Sequence, residues 1–292
     1  MTSPRSIVRQ LSKLGALRQG IPEWIDRSVD YIALMRIRSP MAIDVLIPAA
    51  EKDVDVLPYT IDGVRRNVRH PISNVYIVAP ESRRIRDVCR SKACEFVEER
   101  QVAGRDPNSI HVEVNGIDRS KWIYQQFLKL SGDSIVSRSH YLVVDADTVF
   151  VRPQVFERKG RIIFNYSDEY YQPYFDMYRR LLHETAVSPV SFTSHQMLFE
   201  VELLRELRSR IQEANACAWQ EAILKNLDRT EMSGCSDYDT YGQYVFSHYP
   251  ARTAIEYWFN LNLTRKKLRN LRILELQYGG HYKSISFHSY RE

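Results

Sequence analysis

Short apolar runs alternate with amphipathic stretches along most of the chain. Residues 42–48 have the pattern of a buried strand, and residues 54–68 have that of a helix. Two further strand patterns, at 74–80 and 94–97, are separated by a helical stretch at 83–92. Continuous apolar runs of strand length indicate buried strands, and their alternation with helices predicts βαβ units. We therefore expect an α/β fold with a mostly parallel central sheet flanked by helices.

The second half of the chain continues this pattern. A helix at 120–130 leads into an apolar strand at 140–144. Five more elements are expected: a strand at 161–166, a helix at 169–183, an extended segment at 191–199, a helix at 201–216 and a terminal strand at 282–290. No repeat, low-complexity segment or clear linker interrupts residues 39–292. This part of the chain is expected to form one domain.

Residues 1–38 form a basic prelude with a helical pattern of their own. Apolar residues recur there at roughly helical spacing between arginines and lysines, namely Ile7, Val8, Leu11, Leu14 and Leu17. The pattern fits a helix packed on the main domain. It also allows a helix that contacts a membrane surface or a partner. We expect a basic helical N-terminal extension.

Charge and composition narrow the class of protein. With 44% hydrophobic residues the chain can bury a full core, and a net charge of +5 suits anionic partners such as nucleoside diphosphates, acidic glycans or anionic lipids. There is no nucleic-acid-binding signature. The four cysteines form no CxxC pair, and no apolar run reaches the roughly 20 residues that span a bilayer. A signal-peptide core is also missing. We expect a cytoplasmic protein, and contact with the inner face of the membrane stays open.

The strongest chemical signal is Asp145-Ala146-Asp147, which directly follows a buried strand pattern. Two acids at the end of an apolar strand repel each other and lose hydration unless something neutralises them. Mg²⁺ or Mn²⁺ binds carboxylate oxygens, and substrate phosphates normally complete its coordination shell. If extended geometry continues, Asp145 and Asp147 point to the same face, and Ala146 leaves room. The alternative is that the acids cap a turn or pair with arginines. We expect both acids to belong to a metal site.

Several segments resemble a known class of enzyme. Residues 143–150 (VVDADTVF) resemble the DxD segment of GT-A glycosyltransferases, including the glycogenin-like families. The chain is more closely similar to a bacterial family of unknown function assigned to the GT-A superfamily. The matching pieces are residues 44–53, Trp122 with 125–130, the DxD segment, 194–197, 237–242 and 286–288. Where that family reads His-His-Met, this chain has His195-Gln196-Met197.

The resemblance implies a GT-A (Rossmann-like) fold and a metal-dependent glycosyltransferase. Its donor would be a UDP- or GDP-sugar, and its acceptor a hydroxyl of a glycan or a lipid-linked glycan in bacterial surface polysaccharide or glycoconjugate synthesis. The resemblance also implies that Asp147 binds Mn²⁺ or Mg²⁺ directly and that Asp145 contacts the donor ribose or a metal-bound water. His288 would be the third metal ligand, or else an ordinary histidine of an edge strand.

Further residues are candidates for the donor site. The loop after the first strand carries Pro48, Ala49, Lys52 and Asp53, and ligands of doubly wound sheets lie beyond the carboxyl ends of the strands. The resemblance implies that Lys52 and Asp53 meet the nucleotide base. His195 is expected to contact a donor phosphate or the acceptor, with an ordinary histidine at the edge of the core as the alternative. Ala146 is placed in the donor site with the acids that flank it.

A carboxylate in the segment 233–242 is the candidate catalytic base. The resemblance to inverting enzymes implies that Asp237 or Asp239 takes the proton of the acceptor hydroxyl. Capping of a helix by Ser236 or Asp237 is the alternative. If a helix begins here, residues two apart point roughly 200° from one another, so one acid should be the base, and we favour Asp237. If neither serves, retention of the anomeric configuration is favoured. Lys129, on the helix before the DxD strand, is expected to be solvated.

Two rival functions follow from the same residues. Nucleotidyl transfer also uses paired carboxylates and Mg²⁺, but residues 48–53 contain no glycine and so no glycine-rich phosphate loop. A nucleotide-sugar-binding module without catalytic activity would keep the same scaffold. Hydrolysis of the donor, measured with and without EDTA, separates that module from an enzyme.

Overall fold

The computed structural model describes residues 37–167 and 170–288. The expected N-terminal helix and the last residues of the expected terminal strand therefore lie outside the described residues. Within these ranges the strands are β1 (Ile43–Pro48), β2 (Ile72–Ala79), β3 (Glu95–Glu98), β4 (Glu113–Val114), β5 (Ile117–Asp118), β6 (His140–Val144), β7 (Thr148–Phe150), β8 (Glu157–Arg158), β9 (Arg161–Tyr166), β10 (Gln196–Glu200), β11 (Thr253–Tyr257), β12 (Asn260–Asn262) and β13 (Ser284–Ser286).

The described residues also form nine helices. They are α1 (Leu57–Asn67), α2 (Arg83–Ser91), α3 (Glu99–Ala103), α4 (Ser120–Leu130), α5 (Gln172–Leu182), α6 (Val201–Asn215), α7 (Trp219–Asn226), α8 (Asp237–His248) and α9 (Leu271–Tyr278). Short 3₁₀ turns lie at Glu51–Asp53 and Arg265–Lys267. None of the helices described here combines the length and the apolar character needed to cross a membrane.

The central sheet confirms the expected α/β class. Its order among the described strands is β10-β6-β1-β2-β3, and the pairs β6–β1, β1–β2 and β2–β3 are parallel. All six residues of β1 are buried, as are the last four of β6, because helices cover both faces. Strand β10 is antiparallel to β6, so the sheet is mostly parallel.

The sheet topology brings three segments to one edge. Strands β1 and β6 are parallel neighbours, so the loop after Pro48 and the segment after Val144 leave the sheet on the same side. Because β10 runs the other way, its first residue, Gln196, lies opposite Val144. His195 therefore reaches the same edge from the opposite chain direction.

A small second sheet carries the C-terminal end of the described chain to this edge. Its order is β12-β13-β7, and β13 is antiparallel to β7 with Ser286 opposite Thr148. The amide of Phe287 donates to the carbonyl of Asp147 at 2.9 Å. This pairing places His288 beside the segment that follows β6, although the two are 141 residues apart in sequence.

Candidate active site

Residues 145–147 form a tight turn, which we call the acidic turn, between β6 and β7. The amide of Asp145 donates to the carbonyl of His195 at 2.9 Å, and the amide of Thr148 donates to the carbonyl of Asp145 at 3.0 Å. The carbonyl of Ala146 accepts from the Thr60 hydroxyl at 2.8 Å, and Ala146 is 4% exposed. Because the chain turns here, the two carboxylates do not continue the alternation of an extended strand. Each has its own set of partners.

Asp147 lies in a cluster with two histidines. Ligand atoms of Asp147, His195 and His288 all lie within 4.8 Å of one another. His288 Nδ1 and Asp147 Oδ2 are 2.9 Å apart, and the rings of His195 and His288 are 4.9 Å apart between centroids. Burial would raise the pKa of the Asp147 carboxyl, but the hydrogen bond and charge of His288 hold it below its ordinary value.

His195 is fixed in this cluster by its backbone and by neighbouring side chains. Its φ is +39°, which is uncommon for a residue other than glycine. Its Nδ1 lies 3.0 Å from the Ser286 hydroxyl, and its ring packs against Trp258 with 4.7 Å between centroids. Burial lowers the pKa of His195 and so favours the neutral imidazole, the form that binds a metal. The sequence placed His195 at the donor phosphate or acceptor, whereas the structure places it beside the expected metal ligands.

Asp145 belongs to a second cluster, centred on Lys129. The Lys129 ammonium lies 2.8 Å from Asp145 Oδ1 and 3.6 Å from Asp237 Oδ1. It also lies 4.2 Å from the centre of the Tyr238 ring, and the Tyr238 hydroxyl donates to Asp145 Oδ1 at 2.9 Å. Burial would lower the pKa of Lys129, but Asp145 and Asp237 raise it above its ordinary value. The expectation that Lys129 is solvated is wrong, because its side chain is only 4% exposed.

Asp237 stands at the first turn of α8 with an incompletely satisfied carboxyl. The helix cap is Ser236, whose hydroxyl accepts from the Asp239 amide at 3.1 Å. The amide of Asp237 donates to Gln126 Oε1 at 3.1 Å. Asp237 is 1% exposed, and among the described residues no group donates a hydrogen bond to its Oδ2. Burial raises the pKa of Asp237 to about 7, although Lys129 opposes this shift.

Asp239 points away from Asp237, as the helical geometry predicts. Its carboxylate accepts from the hydroxyls of Ser191 and Thr193, both at 2.7 Å, and from the Phe192 amide at 2.9 Å. Asp239 is also 1% exposed. These bonds hold the loop that leads to His195, and they leave the carboxylate little capacity for another partner.

The loop after β1 is joined to the C-terminal segment by Arg265. Lys52 and Asp53 lie in the 3₁₀ turn, and Pro48 and Ala49 connect it to the sheet. The Arg265 guanidinium donates to the Lys52 carbonyl, pairs with Asp53 Oδ1 at 2.9 Å and donates to the Phe287 carbonyl at 3.2 Å. Burial raises the pKa of Asp53, Lys52 opposes this, and Asp147 adds to it, so the loop borders the acidic turn.

The structure therefore brings nearly all the expected site residues to one edge of the sheet. Asp147 and His288 meet as expected, and Asp145 lies next to them in the acidic turn. Sequence reasoning missed Tyr238 and Arg265, although Tyr238 lies between the two acids it had chosen and Arg265 begins the basic run Arg265-Lys266-Lys267. The signal for Lys129 was its position between Leu128 and Leu130, in the apolar last turn of α4.

Comparisons with known proteins identify a family but no activity. The family of unknown function DUF6492 matches residues 58–271. A search of curated proteins found no significant match. Among solved structures, the chain is similar to mouse xyloside xylosyltransferase 1, with 13% identity and a TM-score of 0.49 over 86% of this chain and 99% of that one.

Two further solved structures are similar over different lengths. The galactosyltransferase LgtC, in complex with donor and acceptor sugar analogs, matches with 11% identity and a TM-score of 0.43 over 84% of this chain and 87% of that one. Glucosyl-3-phosphoglycerate synthase from Mycobacterium tuberculosis, in complex with Mn²⁺ and UDP-glucose, matches with 13% identity and a TM-score of 0.27 over 37% and 34%. At these identities and TM-scores the matches establish neither an activity nor a substrate for this chain.

Proposed function

The chain belongs to DUF6492, a family of unknown function, and we propose that it is a metal-dependent glycosyltransferase of the GT-A class. It would move a sugar from a nucleotide-sugar donor to an acceptor hydroxyl. The observation that carries this proposal is the meeting of Asp147, His195 and His288 at the carboxyl edge of a mostly parallel sheet. Lys129 joins the buried carboxyl of Asp237 to Asp145 in the same acidic turn. That edge is where substrates of such sheets bind.

The metal ligands we propose are Asp147, His195 and His288. One carboxylate and two imidazoles fit a divalent transition metal, and this set favours Mn²⁺ over Mg²⁺, which prefers oxygen ligands. When bound, the ion would stabilise the negative charge on the departing nucleoside diphosphate. Ser286 would orient His195 through its ring nitrogen, as a hydrogen-bonding neighbour of a ligating histidine commonly does.

Asp145 has a different part in this proposal from that of Asp147. Lys129 and Tyr238 already hold its Oδ1. Its side chain is 20% exposed, so part of it faces solvent at the site. We therefore assign Asp145 to the donor ribose or to a water on the metal, and we do not assign it a direct metal bond. Ala146 keeps the acidic turn compact, so the donor can approach.

The loop after β1 would hold the nucleotide of the donor. Pro48, Ala49, Lys52 and Asp53 follow β1, and Arg265 fixes this loop against the segment that leads to His288. Lys52 is exposed and its charge acts on Asp147, so it can also reach a diphosphate bound at the acidic turn. The donor would be a UDP- or GDP-sugar. The acceptor would be a glycan or lipid-linked glycan on the cytoplasmic side, in bacterial surface polysaccharide or glycoconjugate synthesis.

Asp237 is the group we propose as the catalytic base. It would accept the proton of the acceptor hydroxyl while that oxygen bonds to the anomeric carbon and the bond from that carbon to the diphosphate breaks. A carboxyl with a pKa of about 7 is well matched to this transfer at neutral pH. Its Oδ2 also accepts no hydrogen bond from the described residues. Asp239, whose oxygens bind the loop 191–193, is not the base in this proposal.

The function is tested by incubating purified protein with a panel of nucleotide sugars and Mn²⁺, then identifying the released product. A glycosyltransferase releases nucleoside diphosphate, and EDTA stops the release. Asp147→Asn should abolish it, whereas Asp87→Asn, on the exposed face of α2, should not. Release of sugar 1-phosphate, with the nucleoside monophosphate moved to an acceptor, would instead show nucleotidyl transfer. Metal-dependent binding without any turnover, across donors and acceptors, would show a binding module.

A further inference from the structure

A basic surface with exposed apolar side chains lies beside the candidate site. It consists of the 3₁₀ turn Arg265–Lys267, helix α9 and the residues between them, and we call it the basic face. Four of its cations are exposed: Lys266, Lys267, Arg269 and Arg272. Two large apolar side chains are exposed with them, Ile273 at 45% and Leu276 at 83%. Leu276 is the most exposed large hydrophobic residue of the described chain.

Ile273 and Leu276 do not belong to the side of α9 that packs on the core, because other residues of the helix form its buried face. Leu271 and Leu274 are 8% and 0% exposed and pack into a cluster that includes Val149 and Phe287. Residues 273 and 276 are likewise three apart, so they line a second stripe on the outer side of the helix. One apolar stripe of α9 therefore packs against the core, and a second apolar stripe faces solvent.

Among the described residues, the acids of this segment do not neutralise the positive charge of the basic face. The one acid between residues 264 and 278, Glu275, pairs with Arg66 of α1 at 2.8 Å and accepts from Asn67 at 3.0 Å. Arg269 donates only to the carbonyls of residues 266 and 268 among the described contacts. Within the described chain, neither Lys266 nor Lys267 forms an ion pair, so the cations remain available to an external anion.

We propose that the basic face docks on an anionic lipid bilayer. The four cations would meet the headgroups, and Leu276 and Ile273 would enter the boundary between headgroups and acyl chains. Charge complementarity and apolar insertion together fit a bilayer, whereas a soluble polyanion would use only the cations. The membrane contact does not depend on the proposed enzyme activity.

The position of the basic face gives this docking a consequence for the site. Arg265 begins the face, and its guanidinium bonds Asp53 and the carbonyl of Phe287, the residue before His288. The rim of the candidate site and the membrane-facing surface are therefore continuous. If the proposed function holds, a lipid-linked acceptor would lie at the surface on which the protein docks.

The test is co-sedimentation of the full chain with vesicles of phosphatidylcholine alone and with vesicles made of equal parts phosphatidylcholine and phosphatidylglycerol. We expect binding to the anionic vesicles only, and weaker binding as salt is raised. Lys266→Glu/Lys267→Glu should weaken the partition at least about 25-fold, since each cation near an anionic surface is worth about fivefold. Leu276→Ser should weaken it on the order of tenfold.

Matched controls use exposed residues elsewhere in the described chain. Lys121→Glu/Lys225→Glu reverses two exposed lysines, and Val187→Ser removes an apolar side chain that is 64% exposed. Both control variants should bind nearly as wild type, and circular dichroism should show all variants folded. The proposal is overturned if the wild-type protein does not bind anionic vesicles, or if the basic-face variants bind them no more weakly than the control variants do. Metal-dependent nucleotide binding, measured in solution, should not change in the basic-face variants. A failure of the proposed activity can therefore be distinguished from a failure of the membrane proposal.

Discussion

Replacing Asp237 by asparagine should stabilise the protein at neutral and alkaline pH. The folded environment raises the pKa of this carboxyl from 3.8 to about 7, mainly through burial. The folded state therefore binds the proton more tightly than the unfolded chain does. Ionised Asp237 thus lowers the free energy of unfolding, and this loss begins as the pH rises above about 4 and is complete above about 7.

The size of the effect follows from the shift. A difference of about 3 pKa units, at 1.36 kcal/mol each, corresponds to on the order of 4 kcal/mol when the carboxyl is fully ionised. Because the Asp237 side chain is 1% exposed, solvent screens little of this. Asparagine keeps the shape and cannot ionise. Relative to wild type, Asp237→Asn should be close to neutral near pH 4 and stabilising near pH 8.

The assay is urea unfolding of both proteins in EDTA at a series of pH values, with the free energies of unfolding compared pair by pair. Asp239→Asn is the comparison variant: burial also raises the pKa of Asp239, but its carboxylate accepts from Ser191, Phe192 and Thr193. That variant should be destabilised by about 1–3 kcal/mol, since an amide group would face buried donors. A stability difference for Asp237→Asn that is unfavourable at every pH, or that does not change with pH, would refute this account of the site.

The remaining predictions concern turnover and the two side-chain clusters. Asp237→Asn should lower kcat by about 10² to 10⁴ with little change in donor affinity, whereas Asp239→Asn should affect kcat only as far as it loosens its loop; steady-state kinetics on both variants checks this. Lys129→Met leaves the buried carboxyl of Asp237 and the partly buried carboxyl of Asp145 without their cation, so it should destabilise the protein by about 3–5 kcal/mol near pH 8 and by less near pH 5, measured by urea unfolding. Ser286→Ala removes the hydroxyl beside His195 Nδ1 and should weaken Mn²⁺ binding about tenfold or more by calorimetry; unchanged affinity would contradict the proposed ligand set.

The central strands could be predicted because a strand that is buried on both faces appears in the sequence as a continuous run of apolar residues. The apolar runs at β1, β2 and β6 need no knowledge of their neighbours, and the carboxyl end of a parallel strand is a known place for ligands. Asp145 and Asp147 stood out for that reason. Their separate partners could not be predicted, since the chain turns at Ala146.

The contacts that complete the site are set by tertiary pairing. His195 joins the cluster because β10 is antiparallel to β6, and the apolar pattern of a strand does not give its direction. His288 arrives through β13, whose three residues are too few to show a period. Lys129 looked like a surface residue, because the acids that neutralise it lie 16 and 108 positions further along the chain.

Metal-dependent nucleotide binding is the most direct test of the proposed function. UDP and GDP are titrated calorimetrically into the protein in Mn²⁺ and in EDTA, with Asp147→Asn run beside wild type. The account predicts appreciable binding of at least one diphosphate in Mn²⁺, little in EDTA, and little in Asp147→Asn under either condition, because the diphosphate and the acidic turn repel each other without the cation. Equal affinity in Mn²⁺ and in EDTA, or unchanged metal-dependent binding in Asp147→Asn, would contradict it.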